Sequence, residues 1–133
     1  MRYLLDTSTC IGLINDKYPV RIRLARAQRS GGEFFVSVVS VFELSRDLSK
    51  GSGDKDAQLL ETFLSGPVTV LPLEEEDARA ASYVESALEG STTSEISYAL
   101  IAGQALARRM IFVGVGASQM LEIKGLTRQD WGE

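Results

Sequence analysis

Four short apolar runs rich in β-branched and aromatic residues punctuate the chain, and each is separated from the next by segments of helical spacing. They are RYLLD (2–6), FFVSVV (34–39), PVTVLPL (67–73) and MIFVGVG (110–116). Runs this short and apolar read as strands buried on both faces, the pattern of a parallel sheet. The intervening stretches read as helices: TSTCIGLIND, VRIRLARAQR (20–29), SVFELSRDLSK, DAQLLETFL, EEEDARAASYVESALEG and TTSEISYALIAGQALARR. Acidic residues gather at the start of the fifth helical segment and arginines at the end of the sixth, as the helix dipole favours. Strand–helix alternation of this kind predicts an α/β domain with a central, mostly parallel sheet of four to five strands and helices on both faces. A short helix and GLTRQDW make up the tail, and SKGSGDK (49–55) reads as a loop. With 133 residues, one domain spanning 1–133 is expected.

Composition narrows the chemistry. The chain contains no histidine, which excludes a Ser-His-Asp triad, a Cys-His pair and a histidine zinc helix together. The single cysteine, Cys10, excludes an intramolecular disulfide and a four-cysteine metal site. Its apolar neighbours place it in the core. No run approaches the ~18 apolar residues of a membrane span, so a cytoplasmic protein with no membrane partner is expected. The formal net charge is −4, which suits an enzyme that gathers carboxylates around cations. Arg21, Arg23, Arg26 and Arg29 are read first as a solvated helix face, and second as a steering surface for phosphates.

In parallel α/β sheets, ligands bind beyond the carboxyl ends of the strands. That rule selects Asp6–Ser8, Ser37–Glu43 and Gly114–Gly116. Asp6 is either a ligand for a hard cation such as Mg²⁺ or the N-cap of the helix that begins near Ser8. Glu43 either faces Asp6 across the crevice or closes a capping box with Ser40. Glycines 114 and 116 do not form a dinucleotide-binding fingerprint. A haloacid-dehalogenase-like phosphatase would need an aspartate where Ser8 stands.

YLLDTSTCIGLI, VSVVSVFEL, VLPLEEEDARAASYVESAL, ALIAGQALARRMIFV and IKGLTRQDW, in that order, resemble the PIN-domain family, and more narrowly the VapC-type toxins of bacterial toxin–antitoxin pairs. The resemblance implies a three-layer α/β sandwich and a Mg²⁺- or Mn²⁺-dependent endoribonuclease. It also implies a cognate antitoxin seated in a groove between helices, and a homodimer. On the matching positions, Asp6 and Glu43 are the expected catalytic and metal-binding acids, with Ser8, Ser37 and Ser40 as supporting polar residues. Two further family positions are substituted: Tyr98 stands for an aspartate, and Gly116 for a polar or acidic turn residue. A neutral phenol is a poor ligand for a hard cation. Glu95, one turn before Tyr98, is the candidate replacement acid, with a Thr92–Glu95 capping box as the other reading. Ser118 and Gln119 are candidate neutral donors. A second function of a different class follows from these substitutions: a catalytically degenerate PIN domain kept as an antitoxin-binding or dimerisation module.

Overall fold

The computed structural model describes residues 1–48, 54–88, 96–116 and 122–132 of the chain. The elements run β1 (Arg2–Leu5), α1 (Thr7–Ile14), α2 (Tyr18–Arg29), β2 (Glu33–Ser37), α3 (Val38–Leu48), α4 (Asp54–Leu64), β3 (Val68–Leu71), α5 (Glu75–Ala87), α6 (Ile96–Arg108), β4 (Ile111–Gly114) and β5 (Arg128–Asp130). The five strands form one sheet in the order β3-β2-β1-β4-β5, and every pairing is parallel. β1 is central, with Leu4 opposite Phe35 on one side and Phe112 on the other.

The period-two alternation of a strand sends neighbouring residues to opposite faces. Leu4, Phe112 and Leu71 accordingly pack with Val84 of α5 and Ala99, Ala102 and Ala105 of α6. Tyr3, Leu5, Ile111, Val113, Phe34 and Val36 pack on the other face with Cys10, Val20, Leu44 and Leu60 from α1 to α4. The result is the expected sandwich, with Cys10 in the core; burial raises its thiol pKa well above the usual 9.0, and the Asp6 charge adds to the effect.

Three local readings are corrected. β2 ends at Ser37 rather than running to residue 39, because the Ser37 hydroxyl accepts the Val39 amide at 3.1 Å and turns the chain into α3. The acidic run at α5 is more than dipole complement. Asp77 is fully buried and binds Arg108, tying the start of α5 to the end of α6. The fifth strand, Arg128–Asp130, is polar and three residues long, so periodicity does not reveal it.

The helical layer over one face depends on a close approach. A Cβ on Gly103 of α6 would collide with the backbone of Ala81 in α5, so only glycine permits this helix pair to meet as it does.

Candidate active site

The chain leaves β1 for β2 and β3 on one side and later adds β4 and β5 on the other, so the order reverses around β1. Asp6 follows β1 at this switch point, where open parallel sheets form their ligand crevice. It caps α1: its Oδ1 accepts the Thr9 amide at 2.8 Å, the Thr9 hydroxyl at 2.8 Å and the Ser8 hydroxyl at 2.7 Å. Among the described residues its other oxygen accepts no hydrogen bond. The N-cap reading of Asp6 therefore holds, and it engages one oxygen of the carboxylate, on a residue that also lines the cleft. Burial raises its carboxyl above the usual 3.8, the bonds from Ser8 and Thr9 oppose this, and the Glu43 charge raises it further.

Glu43 reaches the same cleft from α3. The capping box with Ser40 does not form, because α3 begins at Val38 and puts Ser40 inside the helix. Ser40 is buried and bonds to the Thr7 hydroxyl at 2.9 Å, while Thr7 donates to Glu43 Oε1 at 2.6 Å. Asp6, Thr7, Ser8, Ile11, Glu43, Ser97, Tyr98, Ile101 and Phe112 line an open cleft of about 230 Å³. No lysine or arginine is among them. Among the described residues no third acid joins Asp6 and Glu43 in a cluster fit for a metal ion.

The other sequence-predicted residues fall as follows. Ser8 lines the cleft, donates to Asp6 and accepts the Val115 amide at 3.3 Å. Ser37 is buried at the end of β2 and does not line the cleft. Tyr98 does line it, with its ring edge-to-face against Phe112 at 5.4 Å between centroids. Gly116 adopts φ +103°, and its amide donates to Asp130 Oδ1 at 3.1 Å. That carboxylate also accepts the Gly132 amide at 2.8 Å, so it ties together the segments that leave the adjacent carboxyl ends of β4 and β5. Glu95, Ser118 and Gln119 lie outside the described residues, as does Thr92. Of the α2 arginines, Arg21 pairs with Asp16 at 3.1 Å and Arg23 donates to the Asp130 carbonyl at 3.1 Å. Arg23 and Arg26 border a depression that shares no lining residue with the cleft.

Sequence reasoning missed Thr7, Thr9 and Asp130. The hydroxyl-rich run DTST was the available signal for the first two. Asp130 gave none, since its partner amide comes from a distant glycine.

An all-parallel sandwich with two half-buried carboxylates at its switch point defines a class of acidic-cleft α/β domains. The PIN domain family model matches residues 3–115, and the chain belongs to that family. A chain of VapBC2 from Rickettsia felis, solved bound to a DNA fragment from its promoter, superposes with a TM-score of 0.87 at 21% identity, covering 98% of this chain and 99% of that one. DNA-bound VapBC from Salmonella typhimurium gives 0.84 at 24% identity, with 98% of each chain covered. VapBC-1 from nontypeable Haemophilus influenzae gives 0.83 at 20% identity over 100% of both chains. At these identities the likeness is one of fold. No curated protein matches the sequence.

Proposed function

We propose that this PIN domain acts as a VapC-type toxin, an endoribonuclease that hydrolyses RNA phosphodiesters with Mg²⁺ or Mn²⁺ and is held by a cognate antitoxin in the cytoplasm. The observation that carries the reading is the pair Asp6 and Glu43. Both line one cleft, one oxygen of each is held by protein hydroxyls, and no lysine or arginine stands among the described residues lining that cleft. Burying carboxylates without a counter-charge is costly, and a cation removes that cost. The donor set also fits the ion: Mg²⁺ keeps several waters and takes one or two carboxylates. Asp6 and Glu43 would hold it, and the bound ion supplies a lowered water pKa and neutralisation of charge on the phosphate. The chain's own part is to keep the two acceptor oxygens aimed at one place and to wall the cleft with Ile11, Tyr98 and Ile101.

Cleavage of a mixed RNA pool by antitoxin-free protein in millimolar Mn²⁺ tests this. Wild type should cut, and Asp6→Asn and Glu43→Gln should not. A wild type that leaves every RNA intact overturns the reading.

The antitoxin is supported by the VapBC complexes among the structural neighbours. A homodimer is supported by a mainly apolar groove of about 440 Å³ between α3 and α6, where Val38, Val39, Phe42, Ile96 and Leu100 are joined by Glu43, Arg46 and Ser97. Phe42 is 63% and Ile96 68% exposed there. Contiguous exposed apolar surface of this kind marks protein–protein contact.

A second reading, the degenerate binding module, is favoured by Tyr98. Tyr98 lines the cleft, and the resemblance to the family implies an aspartate at its position. This reading predicts no Mn²⁺ binding by the natural chain and a gain of binding in Tyr98→Asp.

A further inference from the structure

The Thr7 hydroxyl carries one proton, and it lies 2.6 Å from Glu43 Oε1 and 2.9 Å from the Ser40 hydroxyl. An ionised carboxylate only accepts, so Thr7 spends its proton on Glu43 and accepts from Ser40. The chain of bonds therefore has a direction, from Ser40 through Thr7 to Glu43. It also crosses elements, because Thr7 opens α1 while Ser40 and Glu43 belong to α3. Its far end is anchored, since Ser40 is fully buried. Bonds to an ionised acceptor are short and stronger than neutral ones. Oε1 is thereby committed, and among the described residues no hydrogen bond reaches Oε2. Asp6 is held in the same way, with Oδ1 saturated by Ser8 and Thr9.

We propose that Thr7 is a positioning residue: it fixes Glu43 so that the carboxylate offers one oxygen, in one orientation, to a divalent cation shared with Asp6. The proposal rests on the metal-dependent reading above. Without the hydroxyl, the flexible Glu43 side chain loses its tether to α1 and samples other rotamers over an open cleft. Hydrogen bonds that orient a metal-binding carboxylate are worth about 10- to 100-fold in metal affinity.

The experiment is Mn²⁺ titration of the full chain followed by electron paramagnetic resonance, with thermal melts of the metal-free proteins beside it. Thr7→Val should weaken Mn²⁺ binding about 10- to 100-fold, and Thr7→Ser should restore it. Ser40→Ala should fall between them. In a Glu43→Gln background, Thr7→Val should change the affinity no further. In the metal-free melts, the losses in Tm from Thr7→Val and Glu43→Gln should be non-additive, which reports the contact without any ion. If binding depends on Glu43 but is unchanged in Thr7→Val, the role of Thr7 is overturned while the cation site stands. A wild type that binds no Mn²⁺ overturns the cation site and this assignment with it.

Discussion

Arg108 meets both oxygens of the fully buried Asp77, with Nε 3.1 Å from Oδ1 and Nη2 2.8 Å from Oδ2. The same carboxylate accepts the Glu74 amide at 2.8 Å, and Arg108 Nη2 also donates to the Pro72 carbonyl at 3.2 Å. One ion pair thus fixes the β3–α5 connection, the first turn of α5 and the last turn of α6, the helix whose other end brings Ser97 and Tyr98 to the cleft. Removing the guanidinium leaves a buried charge without its partner. Arg108→Ala should destabilise by about 3–5 kcal/mol in urea denaturation. Asp77→Leu combined with Arg108→Met should lose much less, since neither charge is then stranded.

The pH dependence of stability should carry the mark of Asp6. Burial keeps its native carboxyl protonated to higher pH than the usual 3.8 of the unfolded chain. Between those two pKa values the folded state binds the extra proton, so stability falls as pH rises through that window and stays lowered above it. Asp6→Asn retains an oxygen for the cap and removes the charge. Metal-free Asp6→Asn should therefore melt at a higher temperature than wild type at pH 7, with a shallower decline through the window. Mn²⁺ should raise the Tm of wild type and leave the variant unmoved.

The α5–α6 contact admits no side chain at position 103. Gly103→Ala should force the helices apart and cost about 1–3 kcal/mol or more, read as a lowered melting temperature by circular dichroism. The Mn²⁺ affinity of whatever fraction remains folded should be preserved, because Asp6 caps α1 and Glu43 lies on α3, outside this pair.

If the α3–α6 groove joins two copies, a charge placed in it should separate them. Phe42→Asp is expected to convert a dimer to a monomer in sedimentation velocity at micromolar concentration. Phe42 is exposed in the isolated chain, so the thermal stability of the monomer should change little. A wild type that sediments as a monomer throughout removes the dimer reading.

The layer architecture was legible in the sequence because it depends on periodicity, and the family through its ordered motifs, from YLLDTSTCIGLI to IKGLTRQDW. Apolar runs such as LLD and FFVSV fix strands buried on both faces, and the helical segments between them require parallel connections. Asp6 was legible for a related reason, since a residue just beyond a central parallel strand stands at the ligand edge whatever the details of packing. Glu43, inside α3, was singled out instead by the family resemblance. The polar strand Arg128–Asp130 was not legible, because its place beside β4 comes from backbone pairing rather than from an apolar pattern. Nor was the burial of Asp77, which depends on an arginine on another helix.

The sequence by itself determined which acids stand at the switch point, and that no histidine or thiol chemistry could replace them. Only the tertiary structure decided what those acids do locally. Ser40-x-x-Glu43 satisfies the rule for a capping box, yet the helix starts two residues before Ser40, and the glutamate is met instead by Thr7 from α1. Asp6 satisfies the rule for an N-cap and obeys it with one oxygen, on a residue that also lines the cleft. Capping patterns act over a single turn of chain, whereas the partner of a half-buried carboxylate is set by whichever element packs against it.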